Sequence, residues 1–232
     1  MAARKRPASR RRWLWLPFKW LGLTVAGYLL ACVLLLVAYR WIDPPATTVQ
    51  IQRMVERAID GAPYRVAYEP VREGEQDDDI RHAVVASEDA RFYSHDGFDF
   101  EEIRRAREDA VRRGTSPRGA STLTQQLVKN LFLTTHRSWI RKGFEVPLTL
   151  AAELIVPKDR LLTLYLNSVE WGDGVFGIEA AAAYHYGTSA STLSREQAAR
   201  LAACLPAPLE RRPQNMGRSS TRIQRRMREM GW

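Results

Sequence analysis

The pattern of apolar and polar positions first sets apart one long uncharged stretch near the start of the chain. Residues 21–39, LGLTVAGYLLACVLLLVAY, contain no charged side chain. As a helix at about 1.5 Å per residue this stretch spans roughly 29 Å, close to the hydrocarbon thickness of a bilayer. A cleaved signal peptide would have a shorter apolar run and a small-residue cleavage site, but AYRWIDPP follows here. The pattern therefore predicts an uncleaved transmembrane signal anchor at 21–39.

The rest of the chain shows helical rather than strand periodicity. Residues 40–75 are interpreted as a stalk and connector, in which a moderate helical period covers only TVQIQRMVERAI. Residues 76–208 contain several amphipathic helical segments, and WGDGVFG within them is interpreted as a loop. Residues 209–232 carry seven arginines against two glutamates and are interpreted as a basic C-terminal tail. Because strand-type alternation is scarce, the predicted fold class is mainly α, behind one N-terminal transmembrane helix.

One predicted helix ends at a glutamate whose expected surroundings favour its neutral form. Asp79 is expected to cap a helix over Ile80 to Asp89, which places Glu88 in the last turn. The carboxylate then faces the negative end of the helix dipole, and Phe92 and Tyr93 follow closely enough to shield it from water. Both effects favour the neutral acid and raise its pKa. The plainer alternative is a solvated glutamate at a helix end.

The segment STLTQQLVKNLFL predicts a second helix with a polar edge. Thr122 and Gln125 have capping-box spacing, and leucines four residues apart form one apolar stripe. Gln126 and Lys129 lie beside that stripe. The following segment, HRSWIRKGFEVPLTLAAELIV, has a second polar pattern.

In that segment a spacing of four residues predicts that Arg137, Arg141 and Glu145 share one helix edge. The plainer reading is an exposed ion pair between Arg141 and Glu145, worth a few tenths of a kcal/mol. Pro147 lacks the N–H that would bond the carbonyl four residues earlier, so a bend is expected at the acidic end of this edge.

The charge distribution indicates membrane topology rather than nucleic-acid binding. The chain has a net charge of +9, and its first 40 residues hold eight basic residues and no acid, which leaves about +1 for the rest. Basic residues beside a spanning segment stay in the cytoplasm, so residues 1–20 are interpreted as a cytoplasmic head. Cys32 lies in the anchor and Cys204 in an apolar segment, so the two are not expected to pair, and the four histidines lack metal-ligand spacing.

These features together suit glycosyl transfer. Two carboxylates are the minimum set for acid–base chemistry at an anomeric carbon, and Glu88 and Glu145 provide them. Arginine and lysine near the second carboxylate suit a phosphate leaving group, because they bind it through charge and hydrogen bonds.

Four motifs, in order, resemble a known family. They are E-D-x-x-F-x-x-H-x-G at 88–97, G-A-S-T-L-T-Q-Q-L-V-K-N at 119–130, R-K-x-x-E at 141–145, and Y-L-N-S-V-E-W-G-D-G-V-F-G-I-E-A-A-A at 165–182. They resemble the signature blocks of the peptidoglycan glycosyltransferases, family 51, over roughly residues 76–208. The last block is most similar to the monofunctional members of that family.

The resemblance implies a lysozyme-like helical glycosyltransferase domain that polymerises lipid II into glycan strands. It implies that Glu88 is the general base, and that Glu145 assists at the donor diphosphate or sugar, where a divalent cation, Mg²⁺ or Mn²⁺, is a further expectation. The residues implied to neutralise the diphosphate are Lys129, Arg137 and Arg141. Those implied to shape the donor cleft are Asp89, Phe92, His95, Ser121, Thr122 and Gln126.

Two alternatives stay open at this stage. A lysozyme-like lytic enzyme would cleave the same glycan on the same fold, and a non-catalytic scaffold would only organise the wall machinery. In each case the expected location is the bacterial inner membrane, with a single pass, a cytoplasmic N-terminus and a periplasmic domain. The expected partners are lipid II, the growing glycan strand, and other proteins of cell-wall synthesis or division; no nucleic acid is expected.

Overall fold

A computed structural model describes residues 10–62, 65–116 and 119–232, with side chains in the first helix described from Leu16 onward. Residues 1–9 of the predicted basic head, and the side chains of residues 10–15, lie outside the described residues.

The first helix, α1 (Arg10–Tyr39), begins before the predicted anchor and includes it. Its apolar window Leu16–Tyr39 is long and apolar enough to cross a membrane, judged by length and composition. Outward-facing side chains such as Leu30 and Leu34 are exposed along this window. An apolar helix of this length therefore fits the predicted anchor.

The C-terminal half of α1 packs against the helical domain. Cys32, Leu36 and Tyr39 are buried in the same hydrophobic core as the domain's helices. The Tyr28 hydroxyl donates a hydrogen bond to the carbonyl of Phe132. Helix α1 is thus fixed to the domain along one face.

The predicted stalk contains regular structure that also packs on the domain. Helix α2 (Thr48–Ile59) is capped by Thr47 in a capping box with Gln50, and it packs on α5 (Leu123–Phe132). A short strand, β1 (Ala67–Tyr68), follows it. The helical period seen in TVQIQRMVERAI is confirmed.

The mainly helical architecture predicted from the sequence is confirmed. The other helices are α3 (Asp78–Glu88), α4 (Phe100–Arg113), α6 (Trp139–Ile155), α7 (Lys158–Ser168), α8 (Ile178–Tyr186), α9 (Arg195–Cys204) and α10 (Gly217–Glu229). Helix α3 packs on α9 and α10, while α5 packs on α6 and α7. The leucine stripe of α5 is buried as expected, and each such side chain contributes about 1.5–3 kcal/mol.

Two helices begin elsewhere than the sequence predicts. Asp77, not Asp79, caps α3, since its carboxylate accepts a hydrogen bond from the Asp79 amide (2.8 Å). Three consecutive aspartates offer the same cap chemistry, so local sequence does not select among them. Ser138 caps α6, so Arg137 lies before the helix. The prediction that Arg137 shares a helix edge with Arg141 and Glu145 is therefore wrong. The helix continues past Pro147.

A small sheet replaces the loop predicted at WGDGVFG. Strands β2 (Glu170–Gly172) and β3 (Val175–Phe176) form an antiparallel hairpin, and β1 pairs in parallel with β3 in the order β1-β3-β2. The Asp-Gly pair at the turn is a hairpin signal that the loop interpretation missed. Gly177 follows at φ +85°, and a Cβ there would lie 2.8 Å from the Asn167 carbonyl oxygen.

The segment set apart as a basic tail, 209–232, contains α10, which packs on α3 and α9. Ile223 and Met227 are buried in the hydrophobic core, and Trp232 stacks on His82. The arginines lie mostly on the outer face of this helix. The basic composition of this segment therefore did not indicate that it also carries an apolar stripe, which packs in the core.

Candidate active site

Glu88 is the last residue of α3, and its carboxylate is half-buried beside α5. Gln126 donates a hydrogen bond from Nε2 to Glu88 Oε2 (3.1 Å). Tyr165, fully buried on α7, donates from its hydroxyl to Gln126 Oε1 (3.1 Å). Because that oxygen is already an acceptor, the amide group must present its N–H to the carboxylate. Tyr165 was not among the residues predicted from the sequence.

Burial raises the pKa of Glu88, as the sequence predicted. The Gln126 hydrogen bond and the positive charges of Arg211 and Lys129 act in the opposite direction and stabilise the carboxylate. Arg211 lies after α9 and donates to the Ala203 carbonyl (2.9 Å). Its electrostatic effect on Glu88 could not be predicted, because it belongs to the segment interpreted as a tail.

Phe92 and Tyr93 have contacts other than the expected shielding of Glu88. Phe92 is fully buried, and the Lys158 ammonium lies 4.5 Å from its ring centroid. Tyr93 is half-exposed and donates from its hydroxyl to Asp159 (2.9 Å). These contacts fix the turn after α3 against α7.

Asp89 and His95 form a buried support behind Glu88. Asp89 accepts hydrogen bonds from His95 Nε2 (3.0 Å) and from the Leu123 amide (3.0 Å) at the start of α5. The Gly97 amide donates to His95 Nδ1 (3.2 Å), so the ring proton is on Nε2. This network ties the end of α3 to the start of α5.

The Asp89, His95 and Asp99 side chains also form a group that has ligand-type atoms within 4.8 Å of one another. Their atoms already have protein partners, since Asp99 caps α4 through the Glu102 amide (2.8 Å) and pairs with Arg91 (3.6 Å). The arrangement is accounted for by hydrogen bonds and an ion pair.

Thr122 also has a structural position, whereas Ser121 is exposed. Thr122 caps α5 in the predicted capping box with Gln125. Its hydroxyl donates to the Gly97 carbonyl (2.7 Å) and so joins α5 to the loop after His95.

Glu145, on α6, is a buried carboxylate that pairs with two partly exposed cations. It is 2 % exposed, and Arg141 donates to its Oε2 (2.8 Å). Lys142 donates to its Oε1. The expected Arg141–Glu145 pair is confirmed but is buried rather than superficial. Lys142 was not singled out from the sequence, although its spacing of three residues from Glu145 also places it on that face.

Lys129 connects the two carboxylates. Burial and the nearby Arg141 lower its pKa, while Glu145 and Glu88 both act to raise it. It therefore interacts electrostatically with Glu88 on one side and with the α6 cluster on the other. Within the described part of the chain, the Arg141 Nε atom is buried and has no hydrogen-bond partner. The exposed Arg137 lies outside this cluster, in the connection between α5 and α6.

The arrangement has two chemically distinct halves. Glu88, with a raised pKa, can accept a proton. Lys129, Arg141 and Lys142 provide three cations around one buried carboxylate, Glu145, so they can stabilise added negative charge such as that of a phosphate group.

Comparisons with known proteins agree with this chemistry. A family model described as Transglycosylase matches residues 57–231, which include α10. The chain is similar to proteins named "Biosynthetic peptidoglycan transglycosylase". That of Chromohalobacter salexigens is 44% identical over 225 residues, covering 95% of this chain and 96% of the relative. That of Pseudomonas aeruginosa is 46% identical over 183 residues, covering 79% and 78%, and that of Pseudomonas fluorescens 50% over 184 residues, covering 79% and 76%.

The family match and the helical architecture together confirm the expected lysozyme-like fold class. The match extends over most of the chain and includes Glu88, Lys129 and Glu145. The chain therefore belongs to the transglycosylase family.

Proposed function

We propose that this chain is a peptidoglycan glycosyltransferase that polymerises lipid II in cell-wall biogenesis. Glu88 takes the proton from the 4-hydroxyl of the acceptor's GlcNAc. That oxygen attacks C1 of the donor's MurNAc, the bond from C1 to the diphosphate oxygen breaks, and undecaprenyl diphosphate leaves with inversion at C1. The observation that carries the proposal is that Lys129 interacts electrostatically both with the half-buried Glu88 and with the buried Glu145, which is paired with Arg141 and Lys142.

Glu88 suits the role of base because its environment both raises its pKa and orients it. A base is most effective when its pKa approaches the working pH. The Tyr165–Gln126 pair holds one carboxylate oxygen in place through the two 3.1 Å hydrogen bonds. Asp89 and His95 support this position from behind rather than contacting the sugar.

The cationic cluster suits the leaving group. Undecaprenyl diphosphate gains negative charge as the C1–oxygen bond breaks, and Lys129, Arg141 and Lys142 would stabilise that charge. Glu145 then acts as a positioning residue that keeps Arg141 and Lys142 together, while Arg137 and Ser121 are left to contact more exposed parts of the donor.

Both oxygens of Glu145 already accept hydrogen bonds from cations, Oε2 from Arg141 and Oε1 from Lys142. A Mg²⁺ or Mn²⁺ ion at Glu145 would compete with these two cations for the carboxylate. We therefore assign stabilisation of the diphosphate charge to Lys129, Arg141 and Lys142.

We also propose that α1 crosses the bacterial inner membrane once, with the basic head in the cytoplasm and the helical domain in the periplasm. The basic residues that precede the apolar window support this orientation. Exposed apolar side chains on α6, which packs on α1, support contact with the outer leaflet of that membrane; Trp139 is 92% and Leu154 86% exposed. Contacts with other cell-wall synthesis or division proteins stay a prediction.

The two alternatives fit the site less well. A lytic enzyme cleaves glycan that carries no diphosphate, so its reaction would not require the cations around Glu145. A non-catalytic scaffold would not need Glu88 to be held by the Tyr165–Gln126 pair.

The test is polymerisation of labelled lipid II by the purified full-length chain, with Glu88→Gln and Glu108→Gln as a matched pair. Glu108 is an exposed glutamate on α4, so its substitution should leave activity unchanged. We expect polymer from wild type and Glu108→Gln, and a loss of about 10²–10⁴-fold in Glu88→Gln. Undiminished polymer from Glu88→Gln would refute the assignment, and shortening of preformed glycan would favour the lytic alternative.

A further inference from the structure

Helix α2 presents an apolar face to the outside of the molecule. Its exposed residues recur at helical spacing and form one stripe: Ile51, Met54, Val55, Ala58 and Ile59. Ile51 is 53% exposed and Ile59 79%. A surface helix of a soluble domain normally turns such a stripe toward the core, so α2 has the reverse orientation.

Polar contacts fix that orientation. Arg53 pairs with Glu170 of β2 (3.2 Å), and Arg57 makes a two-pronged contact with Asp173 (2.7 and 2.8 Å). Gln52 accepts a hydrogen bond from the Thr135 amide (2.9 Å). Because Gln52, Arg53 and Arg57 contact the domain, the stripe cannot turn inward without breaking these contacts.

The start of α2 lies beside the apolar window of the anchor. The Thr48 hydroxyl donates to the Leu131 carbonyl (2.7 Å), and the next carbonyl along the chain, that of Phe132, accepts from Tyr28. Tyr28 is within the window Leu16–Tyr39. The stripe therefore begins at a level that the chain's own membrane helix occupies.

Exposed apolar residues also flank α2 on both sides. Trp41 and Ile42, between the anchor and α2, are 72% and 57% exposed. Thr135, which contacts α2, is followed closely by Trp139 and Ile140 of α6, which are 92% and 77% exposed. Exposed apolar residues therefore extend from the stripe to the surface next to the anchor, both along the chain and through the contact of Gln52 with Thr135.

We propose that α2 is a second membrane-contacting element, whose stripe faces the acyl chains of the outer leaflet. Its level beside Tyr28 and its continuity with the anchor favour lipid over a protein partner or a second copy of the chain. The inference rests on the proposed membrane location. With α1, this contact would fix the tilt of the domain and so the height of the Glu88 site above the bilayer.

The test places a single environment-sensitive fluorophore on the full-length chain in phospholipid vesicles. Val55→Cys carries it on the stripe, and the native cysteines, Cys32 and Cys204, are both buried. Two matched sites are Leu34→Cys, on the outward face of α1, and Thr221→Cys, on the exposed face of α10. Each label is quenched separately with brominated acyl chains and with aqueous iodide.

We expect the label at Val55 to lose more than half of its fluorescence to brominated lipid and little to iodide, with the reverse at Thr221. Iodide quenching at Val55, with lipid quenching at Leu34, would overturn the inference while leaving the membrane anchor intact. If neither quencher reaches Val55, protein covers the stripe and the inference also fails. A label at Leu34 that brominated lipid does not quench would overturn both this inference and the proposed location, independently of lipid II polymerisation.

Discussion

Replacing Gln126 with methionine should move the acid limb of the pH–rate profile to higher pH. The Gln126 hydrogen bond lowers the pKa of Glu88 by stabilising its charged form, against the larger effect of burial. Methionine has a similar length but donates no hydrogen bond. A hydrogen bond to a charged group is worth about 1.5–3 kcal/mol, and about 1.36 kcal/mol corresponds to one pH unit. Water would replace part of the hydrogen bonding that Gln126 provides, so we expect the midpoint of the acid limb to shift by about one pH unit.

The assay is the initial rate of lipid II polymerisation across the acid range, fitted for the midpoint of the acid limb. Glu88 must be ionised to act as a base, so a raised pKa removes activity at a higher pH than in wild type. Tyr165→Phe provides a graded comparison, because it loses only the hydroxyl that orients Gln126 and should shift the limb less, in the same direction. A limb that stays in place, or moves to lower pH, in Gln126→Met would refute the proposed link between this hydrogen bond and the base.

Three further outcomes are expected, two at the candidate site and one at the turn before α8. Lys129→Met should lower kcat/KM for lipid II about 10²-fold through lost diphosphate stabilisation, and should also shift the acid limb upward; unchanged kinetics would contradict both roles. Glu88→Gln should raise the Tm at neutral pH, because burial raises the folded-state pKa of Glu88 and its ionised form therefore costs stability, which glutamine avoids. Thermal unfolding should show no gain in Tm below pH 4.5, where the glutamate is protonated in both the folded and the unfolded chain. Gly177→Ala should lower unfolding free energy by about 1–3 kcal/mol in denaturant titrations, since its Cβ would meet the Asn167 carbonyl.

Much of the site could be predicted because its members are close together along the chain. The Arg141–Glu145 pair and the Thr122 cap depend on residues three or four apart on one helix, so spacing alone indicates them. Lys142 followed the same rule and was overlooked. Tyr165 and Arg211 could not be found in this way, because α7 and the segment after α9 reach Glu88 only through the packing of the domain.

The sequence by itself determined the long apolar helix near its start, the helical periods and the two candidate carboxylates, Glu88 and Glu145. These depend on local interactions, namely hydrophobic spacing, caps and charge within a few residues. The tertiary structure alone decided that α10 belongs to the core, that α2 turns its apolar stripe outward, and that Lys129 interacts electrostatically with both Glu88 and Glu145. Each of these depends on burial and pairing between distant segments, because the free energy of a charge or an apolar face is set by what packs against it.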